Sequence, residues 1–179
     1  RHALDEEQPT TVYRGDQQVG YPSVSRDGRY VVFWQGATWG SPSHLRVLNL
    51  AERSVRVLPN PPGVTDQGAA DWSPDATQLV YSARVDAGEN ADWRTYDWRI
   101  YIANSDGSNA RQLTDTRGQP VRGTGPKWSP DGRTIAIGGR ELVLVDVDGS
   151  HKRVVGTDAL DPGWSPDGQQ LIVGKKQVP

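Results

Sequence analysis

A four-residue phrase recurs along the chain and limits its fold more than any other feature. It reads Ser129-Pro130-Asp131-Gly132 and Ser165-Pro166-Asp167-Gly168, with one change Ser73-Pro74-Asp75-Ala76, and more loosely Ser25-Arg26-Asp27-Gly28. Trp72, Trp128 and Trp164 precede three of the copies, and a short apolar run follows all four. Repetition on this scale marks a stack of copies of one supersecondary unit.

The phrase is first of all a turn. Proline presets φ at the second position, the small polar residues satisfy local backbone groups, and glycine accepts φ > 0 at the fourth. Ala76 breaks that rule and should carry a cost of about 1 kcal/mol if its φ is positive. The runs at 30–34, 78–81, 134–137 and 170–173 are apolar on successive positions. That pattern predicts strands buried on both faces. Two further strands follow in most copies, at 45–50, 99–103 and 141–145, then at 54–58, 110–114 and 153–155. Asp106-Gly107 and Asp148-Gly149 lie between members of these pairs and signal hairpins.

Each unit therefore holds four antiparallel strands, A to D, with the Ser-Pro-Asp-Gly turn joining A to B. No amphipathic helix of useful length is present. The expected fold is all-β, a β-propeller of four-stranded blades with about four blades visible. Blades one to three fall at 21–60, 70–115 and 125–157, and 161–179 supplies strands A and B of a fourth. Residues 1–14 supply strands C and D, at 2–5 and 10–14, for the last blade or a preceding one. Two architectures fit: a closed four-bladed ring, or a segment of a larger propeller.

Bulk properties exclude several classes. The net charge is −2 and the pI about 5.9, so no basic field points to nucleic acid. No apolar stretch reaches about 18 residues, the length a membrane-spanning helix needs. There is no cysteine, hence no disulfide, thiolate metal site or thiol nucleophile. There is no methionine either. Arg1 is therefore read as following a removed signal peptide or a removed upstream region.

The phrase Trp-Ser-Pro-Asp-Gly, its apolar strand, and the later Asp-Gly turn together resemble the TolB-type β-propeller repeat, over nearly the whole chain. The family is similar to WD repeats in architecture and usually has six or more blades. The resemblance implies a protein-binding platform of the bacterial envelope, hence an extracytoplasmic location, periplasmic or secreted. It equally implies a domain that accompanies an enzyme, such as a prolyl-oligopeptidase-type peptidase. Blade one departs from the pattern, with Val24 for the tryptophan and Arg26 for the proline.

Nothing in the sequence assembles a catalytic centre. The repeated aspartates are kept apart by blade symmetry and serve turns. The three tryptophans are expected to pack between blades rather than stack on sugars. Asp146-Val147-Asp148-Gly149-Ser150 lacks the remaining ligands of a calcium loop. His44 and His151 fall at opposite ends of their blades, and no nucleophile elbow, zinc motif or phosphate loop occurs. No catalytic residue, metal ligand or cofactor is expected.

The long, irregular segments carry the functional signal. They run over 35–44, 60–70, 84–98 and 115–125, all assigned to the face where D–A and B–C loops open. Rigid scaffolds commonly place their function on such loops. Within 84–98 stands Asp92-Trp93-Arg94-Thr95-Tyr96-Asp97-Trp98. The candidate partner-binding residues are Trp39, Trp93, Arg94, Tyr96 and Arg122, since Trp, Tyr and Arg are enriched at binding hot spots. The expected partner is a protein or peptide, with a glycan as another option. Open propeller edges would also admit a homo-oligomer. Alternatively the rings fold back over the insertion, or the chain is an accessory propeller of an enzyme, as a peptidase gate or a carbohydrate-binding or carbohydrate-active unit.

Overall fold

Every copy of the phrase closes the same turn. The computed structural model describes residues 10–37, 43–85 and 97–175. Ser25, Ser73, Ser129 and Ser165 each donate their hydroxyl to the aspartate two residues on, at 2.6 Å. The same hydroxyls accept the N–H of Tyr30, Gln78, Thr134 and Gln170 at 2.9 Å, which sets the first residue of the strand that follows. These hydroxyl bonds, then backbone N–H bonds, hold Asp27, Asp75, Asp131 and Asp167 below the usual carboxylate range. Gly28, Gly132 and Gly168 take φ of 71 to 75°, and Ala76 takes 58°. Ala76→Gly should stabilise the protein by about 1 kcal/mol, read as a melting temperature raised by roughly 2–4 °C. An unchanged or lowered midpoint would show that the methyl group's packing on the core outweighs the strain.

Strands β1 (Gln18–Val24), β2 (Tyr30–Gly36), β3 (Ser43–Asn49) and β4 (Ser54–Val57) form one antiparallel sheet in sequence order. So do β5 (Val64–Trp72), β6 (Gln78–Val85), β7 (Asp97–Asn104) and β8 (Arg111–Gln112). A third sheet runs β12-β11-β10-β9, from β9 (Thr124–Trp128), β10 (Thr134–Asp146), β11 (Arg153–Trp164) and β12 (Leu171–Lys175). No helix occurs among the described residues. Three of the four strand B runs are buried on both faces, as their composition predicts: Val32, Phe33 and Trp34, then Leu79, Val80 and Tyr81, then Ile135, Ala136 and Ile137; the run at 170–173 is not, since Ile172 is 78% exposed and Leu171 and Val173 are half-buried.

The third sheet has a different internal plan. A straight strand of β10's length would span about 40 Å. Yet its two ends meet, because Val147 N donates to Arg133 O at 3.0 Å and Thr134 Oγ1 to Asp146 Oδ1 at 3.2 Å. β10 is therefore a hairpin, bent at Gly138-Gly139-Arg140, and supplies strands B and C of blade three. β11 likewise does two jobs. Its first half pairs with β10 and its second half with β12. Trp164 Nε1 donates to Lys127 O at 3.2 Å, as Trp72 Nε1 does to Ser23 O at 3.1 Å. The end of β11 thus stands beside β9 as β5 stands beside β1, and it begins a fourth blade with β12. The described residues hold three four-stranded blades and the inner half of another.

Two kinds of contact join successive blades. On the inner side, Asp71 accepts Ser23 Oγ at 2.8 Å and Trp128 N at 2.9 Å, with Lys127 Nζ at 3.7 Å. One carboxylate so links the inner strands of three blades. On the outer side, a strand D arginine donates to the next blade's C–D turn: Arg56 Nη2 to Ser105 O at 2.7 Å, and Arg111 Nη2 to Val147 O at 3.0 Å. The turn glycines pack onto the residues that follow. A Cβ on Gly107 would meet Pro59 and Leu58 at 2.7 and 3.1 Å, and one on Gly149 would strike the carbonyl of Thr114.

Residues 10–14 correct the sequence expectation. They form no strand and make no pairing with β12. The Tyr13 ring lies 4.9 Å from that of Phe33, and its hydroxyl donates to Gln35 Oε1 at 2.9 Å. Contact with blade one takes the place of the expected edge pairing. Residues 2–5 lie outside the described residues. The segment 115–125 also differs from a simple face loop. Thr114 bridges Pro120, and the turn between them is closed by Asp115, which accepts the N–H groups of Arg117 and Gln119 at 3.0 Å. This small hairpin leans on blade three's C–D turn through Lys152 Nζ, 3.6 Å from Asp115. Only 121–123 return to the long-loop end.

Candidate functional site on the long-loop face

The stems of two long loops are fixed side by side. Gly36 pairs with Ser43 at the stem of blade one's B–C loop, and Val85 pairs with Asp97 at the stem of blade two's. Buried Asp66 joins them. It accepts Ser43 N at 2.6 Å and Ser43 Oγ at 2.7 Å, and pairs with Arg84 Nη2 at 2.8 Å. Its neighbour Gln67, with no exposed surface, accepts Leu45 N at 2.8 Å and donates to Pro59 O at 3.1 Å. These bonds satisfy groups that burial would otherwise leave without partners.

Arg122 stands at the base of the aromatic-rich insertion. Its Nε is 2.7 Å from Asp97 Oδ1, and Arg99 Nη2 is 2.6 Å from Oδ2. Arg99 also donates to Gln112 Oε1 at 3.1 Å. Burial alone would raise the Asp97 carboxyl, but the hydrogen bonds and charges of the two arginines bring it below the usual range. The same carboxylate raises the Arg122 guanidinium above its ordinary value. Asp97 therefore stays ionised at neutral pH between two cations, one of which, Arg122, remains largely exposed. Such a platform can present a cation to acidic or carbonyl groups. Among the described residues Asp97, Arg99, Arg122 and Gln112 form an ion-pair and hydrogen-bond cluster.

Trp39, Trp93, Arg94 and Tyr96 lie outside the described residues. Of the sequence candidates, Arg122 alone is placed, beside Asp97 and Arg99. Asp66, Arg84, Asp97 and Arg99 escaped the sequence reading because single charged residues at strand ends carry no motif. A recurring left-handed position also escaped it. Tyr21 and Asp161 have φ of 50° and 45°. Both sit three residues before the Val24 or Trp164 that precedes the turn, toward the long-loop end of inner strands. Gly125, at the same place before Trp128, has φ of 55°, and the pairing register shifts between Gly20 and Ser23 and between Leu160 and Gly163, so the position is a bulge that recurs in strand A. Burial and the nearby Asp161 charge push the Tyr21 phenol up. Among the described residues no group of three metal-ligating side chains stands together.

No family model matches the chain. A dipeptidyl-peptidase 5 from Porphyromonas endodontalis is 32% identical over 93 residues, covering 49% of this chain and 13% of that protein. The crystal structure of TolB from Acinetobacter baumannii superposes with a TM-score of 0.66 at 22% identity, over 88% of this chain and 38% of that one. The fold is a β-propeller. An oligogalacturonate lyase in complex with manganese also matches the propeller seen here, with a TM-score of 0.65 at 18% identity, over 93% of this chain and 47% of that one. The chain thus spans less than half the length of each of these proteins, and the two superpositions speak for the fold alone.

Proposed function

We propose that this propeller is a non-enzymatic binding module that presents its long D–A and B–C loops to a protein or peptide partner. The observation that carries this reading is the bolting of both aromatic-bearing loop stems to one charged platform by Asp66 and Asp97. Rigid stems under Trp39, Trp93, Arg94 and Tyr96 lower the ordering cost that binding would otherwise incur. Arg122 adds an exposed guanidinium at the rim. The likeness in fold to TolB agrees with an extracytoplasmic location, which fractionation of native cells into cytoplasm and envelope would check.

Selection from a displayed random-peptide library tests the proposal. Peptides should be enriched on the wild type, and Trp93→Ala with Tyr96→Ala should abolish their binding while the melting temperature stays within about 2 °C, as loop substitutions away from the core do. Arg122→Ala should weaken binding about tenfold. Failure to enrich any peptide, or binding that survives all three changes, would sink the reading.

The similarity to a dipeptidyl-peptidase supports a second reading, an accessory propeller of an enzyme. A gene encoding an α/β-hydrolase domain beside this segment would favour a peptidase gate. Saturable signals on a glycan array, with tryptophan fluorescence changing on titration, would favour a carbohydrate-directed unit.

A further inference from the structure

Two arginines share one carboxylate at the long-loop end of blade two. All three nitrogens of the Arg99 guanidinium are engaged: Nε and Nη2 with Asp97 Oδ2 at 2.8 and 2.6 Å, and Nη1 with Gln112 Oε1 at 3.1 Å. Arg122 is engaged at Nε alone, 2.7 Å from Asp97 Oδ1. Its Nη1 and Nη2 have no hydrogen-bond or ion-pair partner among the described residues, and its side chain is 59% exposed. Two cations and one anion leave the cluster with one uncompensated positive charge.

The exposed guanidinium is nonetheless held in place. Arg122 bridges Arg99 in an antiparallel pairing, with Ile100 N donating to Val121 O at 3.0 Å and Gly123 N to Trp98 O at 3.1 Å. Val121, the residue before, has no exposed surface. Gly123, the residue after, is wedged against blade three, where a Cβ would strike Ile137 and the carbonyl of Gly138. The backbone is thus fixed on both sides and the side chain at Nε. An arginine so held gives up little rotamer freedom when a ligand arrives.

Resting on the reading of the long-loop face as a peptide-binding surface, we propose that the Nη edge of Arg122 receives a carboxylate of the partner, so that this face takes a carboxylate-bearing peptide. Nη1 and Nη2 present parallel N–H groups, which a carboxylate accepts at both of its oxygens. A neutral carbonyl would leave the charge of the cluster unanswered. A phosphate would bring a second charge, and the other cation of the cluster, Arg99, is already bound to Asp97 and Gln112. An acidic side chain and a peptide C-terminus offer the same group.

The probe is a pool of synthetic heptapeptides with free C-termini, passed over the immobilised full chain. Retained peptides are resynthesised and titrated by calorimetry. Exchanging Asp and Glu for Asn and Gln should weaken binding at least tenfold if a side chain docks, and amidating the C-terminus should do so if the terminus docks. Arg122→Gln should weaken the acid form by the same factor and leave the neutralised form unchanged. Arg133→Gln removes an equal charge from the opposite face and should alter neither. Arg122 is largely exposed, so the melting temperature should stay within about 2 °C of the wild type. Retained peptides that lose nothing on either neutralisation, equal losses of both forms in Arg122→Gln, or the same loss in Arg133→Gln would overturn the carboxylate assignment and leave the binding face standing. A pool from which no peptide is retained would overturn both.

Discussion

Replacing Asp66 with alanine should lower the free energy of unfolding by about 3 kcal/mol, because it removes a buried charged acceptor that serves several donors. Arg84 loses its carboxylate, and the amide and hydroxyl of Ser43 lose their acceptor. The hydroxyl keeps a second acceptor, Gln67 O at 2.9 Å, so the amide and the guanidinium bear most of the loss. Asp66→Asn should cost less, since its carbonyl oxygen still receives the Ser43 bonds and only the charge attraction to Arg84 is lost. Urea denaturation with an unchanged slope separates a real stability change from an altered unfolded state. A loss below about 1 kcal/mol would mean that water replaces the carboxylate, as it does at exposed pairs. The same variant should weaken any ligand of the long-loop face, because Ser43 and Arg84 hold the two stems together.

Asp71→Ala should cost about 2–3 kcal/mol, on the scale of losing a charged acceptor that serves two donors. The site differs from Asp66 in kind. Asp66 joins neighbouring blades near a face, whereas Asp71 reaches the inner strands on both sides of its own. Ser23 can turn its hydroxyl to solvent, but the amide of Trp128 has no such freedom. The deficit should therefore concentrate between blades two and three, seen as faster hydrogen exchange at Trp128 than at Ser23. Equal exchange at both, with a stability loss under about 0.5 kcal/mol, would assign Asp71 a surface role.

The sequence is most legible where structure is local. The turn phrase, its Ser–Asp bond, the doubly buried strand after it and the tryptophan before it all act within six residues. The repeat therefore announces them. The Asp148-Gly149 hairpin is legible for the same reason. Reading fails where partners are distant in the chain. Ser43 meets Asp66 across 23 positions, and Asp71 meets Trp128 across 57. A lone acidic residue on a strand has no signature for such bonds. Residues 10–14 misled because β-branched and aromatic side chains suit a strand equally well and a ring contact with Phe33. The 114–120 hairpin stayed hidden because Asp115 closes it with bonds that any polar loop residue can make.

The outer contacts carry one more consequence. On the outer side successive blades meet through the same arginine-to-carbonyl bond and the same glycine turn, while on the inner side Arg26 Nη1 of blade one also donates to Pro130 O of blade three at 3.4 Å. The outer rim thus couples each blade only to the next, as in a one-dimensional chain of units, while the inner turns tie non-adjacent blades together. Damage to one outer junction should therefore stay local to the two units it joins, while loss of an inner contact is felt by several blades at once.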